Sequence, residues 1–296
     1  MKPRKIKDAQ DISKLITILR TRNFTIKSND ENDIKAFLLS TGYYKLSGYW
    51  LPYYNKKREC LNENIDFNKV RETYCFDEEL RMIVLSLTNF IEVKTKSAIT
   101  NYMCLEYDPL FYYDSSFFEN KEHHRAWMEK FENEISYSDR NEEAFKAWYK
   151  KEYGSKFPLW VTFEIVNFND VSKLYANLKT KYKKELRPYF NWSDIDYTKS
   201  WLQSTTILRN ICAHNGRLFY RNINTSPKKP LKLVENNIEL NNKRVFFYIL
   251  TMKELLNDEK KWSSIESQII NLITKYPDVD ILLYGFNNNW YDCLTF

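Results

Sequence analysis

The feature that most restricts this chain is the run from Asn68 to Tyr102, "NKVRETYCFDEELRMIVLSLTNFIEVKTKSAITNY". It holds neither Pro nor Gly, and Leu80, Ile83, Val84, Leu87, Phe90, Ile91 and Ile99 recur with a 3.6-residue period. The pattern predicts one long helix whose apolar stripe other elements must cover. No alternation of strand and helix patterns appears elsewhere, so the fold class read from the sequence is all-α.

The remaining segments fit that class. Residues 10–21 set Ile12, Leu15, Ile16 and Leu19 at helical spacing, and a second helix is predicted from Asp30 into Gly42. Tyr43, Tyr44, Tyr49, Trp50, Tyr53 and Tyr54 crowd around Ser47 and Gly48 too densely for a one-sided helix, which predicts a bent segment tucked against the body. The charged residues 119–156, carrying Trp127, Phe131, Phe145 and Trp148, predict two amphipathic and mostly surface helices, with His123 and His124 solvated. Residues 157–179 read as one helix with Pro158 in its first turn. Residues 198–215 read as another, ended by Asn215-Gly216. Residues 222–245 predict a polar loop or a short hairpin, 246–275 two more helices, and the tail "YGFNNNWYDCLTF" an irregular end. With only 5 Gly and 8 Pro, no linker divides the chain. It is read as one domain over 1–296, with an N-terminal helical extension at 1–66 and a core at 67–296 that carries a charged insert at about 112–156.

A formal net charge of +6, from 45 Lys and Arg against 39 Asp and Glu, permits nucleic acid as a partner without requiring it. Aromatic residues make up 17%, rings that either pack a core or stack on bases. Cys60, Cys75, Cys104, Cys212 and Cys293 stand singly, without zinc or disulfide spacing, which predicts a reduced, cytoplasmic setting. The basic N-terminus lacks an apolar signal core and no window approaches a membrane span, so no membrane partner is expected.

The stretch that carries chemistry is "LRNICAHNGRLFYR", residues 208–221. On a helical wheel with Leu208 at zero, Trp201, Ser204, Ile211 and Cys212 fall within about 60° and form the buried stripe. Arg209 lies about 100° to one side and His214 about 120° to the other. Between them, opposite the core, come Gln203, Thr206, Asn210 and Ala213, a small polar face that a second chain could approach. Asn210 and His214 stand four residues apart, so the amide is expected to hold one ring nitrogen. Imidazole exchanges protons at physiological pH, and guanidinium presents a planar fork to phosphate oxygens. The pair suits phosphoryl chemistry on RNA, and nothing beside it has metal-ligand spacing. A helix-end histidine also serves as a cap or a surface residue, and spacing alone does not choose between these roles.

"LRNICAHNGRLFYR" resembles the Arg-Asn-x-x-Ala-His signature of the Abi-like proteins, the AbiD and AbiF type of bacterial abortive-infection phage-resistance family, whose helical domain belongs to the HEPN superfamily. Three more blocks agree in order: "GYYKLSGYWLPYY" (42–54), "FDEELRMIVLSLTNFIEVKTKSAI" (76–99) and "PLWVTFEIVNF" (158–168). The tail "YGFNNNW" is similar to a closing Gly-Phe-Pro-x-x-Trp pattern, and the likeness runs from about residue 10 to 290. Lys96 stands where Arg is common, Asn169 where Gly often follows the aromatic, and Asn287 where Pro is usual. These departures are expected to leave the motif untouched.

The resemblance implies a HEPN-type helical bundle and a metal-independent endoribonuclease of phage defence without a cofactor. It implies Arg209 and His214 as the catalytic pair with Asn210 beside them. Because the chain has one motif, it also implies a homodimer in which two motifs form a composite site. A restraining RNA or protein antitoxin is implied by analogy. Beyond the motif, Arg217, Tyr220, Arg221, Lys228 and Lys229 either grip single-stranded RNA or form a solvated basic rim. Glu92, the acid in an apolar stretch of the long helix, either supports the motif or pairs with a neighbouring cation, the pairing being favoured. Two alternatives remain open: a non-catalytic RNA-binding module, and a helical antitoxin or scaffold.

Overall fold

In the computed structural model, which describes residues 8–57, 59–138, 144–189 and 194–295, the chain starts with a capped helix. Asp11 accepts a hydrogen bond from the Lys14 N–H at 2.8 Å and opens α1 (Ile12–Thr21), which buries Ile16 and Leu19. Two short strands, β1 (Phe24–Thr25) and β2 (Ile65–Asp66), pair in parallel, with Phe24 opposite Ile65. Between them α2 (Glu31–Thr41) ends where Gly42 takes φ +89°, a conformation that side chains disfavour. The chain then turns through α3 (Tyr43–Leu46) and a 3₁₀ segment at Ser47–Tyr53. This is the expected bent aromatic block. Trp50 meets Phe24 and Tyr43 edge-on at 5.2 and 5.6 Å.

The predicted long helix is α4 (Phe67–Glu106), whose 40 residues span about 60 Å. It is followed by α5 (Lys121–Ser138), α6 (Ala144–Tyr153), α7 (Leu159–Ile165), α8 (Phe168–Asn177), α9 (Thr180–Tyr189) and α10 (Ile195–Ala213). Then come α11 (Leu231–Glu235), α12 (Val245–Leu256), α13 (Glu259–Lys275) and α14 (Trp290–Thr295). α4 is the spine: α7, α8, α9, α10, α12 and α13 all pack along it. α10 is held between α4, α8 and α12. α12 is buried on every side from Val245 to Met252, which puts it at the centre of the core. The class is all-α, with one two-residue parallel ladder as the sheet among the described residues. No helix among them is long and apolar enough to cross a membrane.

Three sequence expectations are corrected, and two hold with added detail. Residues 157–179 form two helices, because Asn167 leaves helical geometry (ψ 164°) and caps α8 by accepting from the Asp170 N–H. The charged segment 119–156 is amphipathic and mostly surface, as read: Trp127, Phe131 and Ile135 of α5 enter the core, while Phe145 and Trp148 stay exposed. His124 is buried there rather than solvated, stacked on Phe118 with its Nε2 2.7 Å from the Tyr112 carbonyl oxygen. Residues 222–245 form the polar loop, the first of the two readings, without a hairpin among the described residues, and the loop carries α11. The tail is ordered by a 3₁₀ turn at Ile281–Tyr284 and by α14, because Phe286 stacks on Phe246 at 4.1 Å.

Candidate active site

α10 is capped by Asp194, whose carboxylate accepts from the Asp196 N–H. Its buried face holds Trp201, Leu202, Ser204, Leu208 and Cys212, close to the predicted stripe. Burial of Ser204 and Thr205 leaves no unpaired hydroxyl, since both donate to the Trp201 carbonyl. Thr206, expected on the free face, is also buried and donates to the Gln203 carbonyl. Asn210, Ala213 and Gln203 remain exposed as read.

The helix ends as Asn215-Gly216 predicted, with a division of labour. Asn215 takes the left-handed position at φ 53°, and the Gly216 N–H closes on the Ile211 carbonyl at 2.7 Å. A Cβ at Gly216 would stand 2.8 Å from that same oxygen, so the position has no room for a side chain.

Arg209, Asn210 and His214 line one open recess of about 290 Å³, walled by Asn167, Phe168, Asn169 and Thr206. Here the expected role of Asn210 changes. Its Oδ1 accepts from Arg209 Nη1 at 3.4 Å and not from His214, because His214 is the cap residue and its backbone (ψ 22°) has left the helix. The His214 ring is exposed and makes no hydrogen bond among the described residues. Arg209 also borders a wider groove of about 660 Å³ over α4 and α7, lined by Glu92, Lys96, Asn101 and the half-exposed Trp160. Glu92 pairs with Lys96 at 2.9 Å while lining this groove. Two of the departures from the family pattern therefore do touch the site: Asn169 walls the recess and Lys96 the groove.

Sequence reasoning missed what fixes the chain after His214. Asp77 and Arg81, one turn apart on α4, form a fully buried ion pair. Asp77 Oδ2 accepts from Arg81 and from the Tyr49 hydroxyl at 2.8 Å; Oδ1 accepts from the N–H groups of Leu218 and Phe219 at 3.1 and 2.7 Å. Burial pushes the Asp77 carboxyl up, against Arg81, Tyr49 and the two backbone donors. Burial also opposes the Arg81 charge, yet Asp77 and Tyr49 hold that guanidinium above its ordinary value. Donors occupy both carboxylate oxygens, so the pair is ionised. Tyr49 completes the lock by stacking on Phe219 at 5.8 Å. The signal in the sequence was an Asp and an Arg four residues apart within an otherwise apolar helical stripe, "FDEELR".

The cations beyond the motif do not form one free row. Arg217 donates to the Gly48 carbonyl, and Gly48 lacks a side chain where one would meet the guanidinium at 3.0 Å. Burial lowers its readiness to stay charged. Lys228 lies 3.5 Å from Asp196 and over the Tyr197 ring, and Lys229 pairs with Glu239 at 2.7 Å. Tyr220, exposed and at φ 51°, lies under the Arg244 guanidinium at 4.6 Å. Arg221 is half-buried near Gly216.

The fold and site define a helical bundle that presents an Arg-x4-His pair at the exposed end of a core helix. A family model described as Abi-like protein matches residues 36–220, more than half of the chain, from α2 through the recess to Tyr220. The chain belongs to the Abi-like protein family. The match is shorter than the likeness read over residues 10–290, and the closing "YGFNNNW" lies outside it. No curated protein and no solved structure matches the chain. Family membership suggests a part in abortive-infection phage defence.

Proposed function

We propose that this chain is an endoribonuclease of phage defence with Arg209 and His214 as its catalytic pair. The observation that carries the reading is the shared recess: Arg209, Asn210 and His214 line one open pocket, and the imidazole is left without an internal partner among the described residues. A polar group so exposed on an otherwise well-paired helix is free to act on a substrate. The ribose 2′-hydroxyl of RNA attacks the neighbouring phosphorus, and the bond to the 5′-oxygen of the next nucleotide breaks. His214 moves the proton, and the Arg209 fork stabilises the charge on the phosphorane oxygens. The products are a 2′,3′-cyclic phosphate and a 5′-hydroxyl, and the nucleophile needs no metal to form.

The exposed Gln203, Asn210 and Ala213 favour a homodimer in which a second motif completes the site. A restraining RNA or protein antitoxin belongs to the same proposal, since the activity would otherwise arrest the host. The test is expression of the wild type beside His214→Ala, followed by sequencing of RNA ends. Cyclic-phosphate ends that vanish in the variant and persist in EDTA support the mechanism. Equal cutting of DNA, or intact RNA despite tight binding, would refute it, the second in favour of a non-catalytic RNA binder. Ala213→Trp should lower both dimer content and cleavage; a monomeric wild type that still cleaves would remove the composite site.

A further inference from the structure

Another cavity lies away from the Arg209–His214 recess and the groove beside it, between α5 and α8. It measures about 390 Å³, within the range of small-molecule sites. Trp127 and Phe118 form buried aromatic walls. His124 stacks on Phe118 with ring centroids 4.4 Å apart, and its bond to the Tyr112 carbonyl holds the plane. Lys173 and His123 are exposed at the rim, with Lys130 partly so. Behind them Asp170 is 2% exposed; its Oδ2 accepts from Lys130 at 2.5 Å, while its Oδ1 is buried with no hydrogen-bond partner. Buried carboxylate oxygens are seldom left this way, and because Asp170 also lines the cavity, a turn of its side chain would bring this acceptor to a ligand donor.

These features fit one ligand chemistry. Aromatic walls take a planar heterocycle, the rim cations take a phosphate, and the unpaired carboxylate oxygen, once turned toward the cavity, takes an N–H from the edge of a base. We propose that the α5–α8 cavity binds a nucleoside phosphate and that its occupancy tunes the Arg209–His214 site through α8. The tuning half rests on the ribonuclease reading; the binding half does not. α8 joins the two places directly. Asn167, Phe168 and Asn169 wall the recess, and the next residue, Asp170, lines the cavity. The Asn167 side chain accepts from the Asp170 N–H at 3.2 Å, so a ligand that redirects Asp170 acts on the cap that shapes the recess wall.

Calorimetry on the full chain with the four ribonucleoside monophosphates, inorganic phosphate and adenosine tests the site. At least one monophosphate should bind one-to-one with a Kd of about 10 µM to 1 mM, and phosphate or adenosine alone at least about tenfold more weakly. Lys173→Glu at the exposed rim should weaken binding by about tenfold or more, and Ala126→Trp, also exposed and lining the cavity, should block it. A 5′-phosphorylated RNA that displaces the nucleotide assigns the same chemistry to an RNA end; no displacement assigns it to a free nucleotide. No binding of any monophosphate up to about 5 mM, or binding that both variants leave unchanged, overturns the site. Cleavage unaltered at saturation overturns the coupling. Binding is read without RNA, so a protein that binds nucleotide but cuts no RNA refutes the ribonuclease reading alone.

Discussion

Two arginines on core helices, Arg81 and Arg209, meet opposite fates. Arg81 is sealed against Asp77, and that pair ties the N-terminal aromatic block, the spine and the loop after the motif into one knot. Among the described residues, Arg209 has only a long hydrogen bond to its neighbour Asn210 and opens onto two recesses, with an unpartnered His214 beside it. A buried charge must find its partners within the chain, whereas an exposed one is free to find them in a substrate. The first arrangement holds the second in place, because the residues that Asp77 clamps, Leu218 and Phe219, follow His214 by only a few positions.

The difference can be broken from either side. The largest effect is expected from His214→Ala, which should lower RNA cleavage about 10²- to 10⁴-fold while the urea midpoint barely moves. Arg209→Lys should also be severely impaired at unchanged stability, since an ammonium lacks the planar fork. Loss of stability in either variant would mean the recess is structural. The converse is Asp77→Ala, expected to cost about 3–5 kcal/mol by urea denaturation, because Arg81 and two backbone N–H groups are left buried and unpaired. A cost below about 1 kcal/mol would dissolve the knot.

Smaller effects sharpen the boundary between the two regions. Gly216→Ala should cost about 1–3 kcal/mol, its Cβ being forced against the Ile211 carbonyl. Replacing Lys228 and Lys229 by Ala should cost less than about 1 kcal/mol in stability. If either one grips phosphate despite its acidic neighbour, the salt slope of RNA binding should fall by about one for each phosphate that is no longer neutralised. An unchanged slope returns both to the rim. At neutral pH the smallest effect is expected at Cys212, whose thiol burial pushes up to about 12 from 9.0. Its folded value lies above the unfolded one, so its contribution is complete below about pH 9 and is lost as pH climbs toward 12. Cys212→Ala should flatten that alkaline limb; a parallel decline would assign the limb to the buried tyrosines.

Periodicity and caps were enough to read the helical class, the long spine, the bent aromatic block and the end of α10. These features depend on neighbours within a turn or two of the chain, which a sequence states directly: Gly42 after α2, Asn215-Gly216 after α10. Helical angle set Arg209 and His214 on either side of a polar face, but the resemblance to the Abi-like family, rather than spacing, singled them out as a pair. The sequence reading failed where the answer depended on partners far along the chain. Nothing near Arg217 announces that Gly48 will accept from it, and nothing near Asp77 that Tyr49, Leu218 and Phe219 will converge there. Local order thus set the elements and the residue types that they present. Only long-range packing decided which charges would be paired inside the protein and which left open, because desolvation compels a buried charge to find a partner wherever the fold brings one.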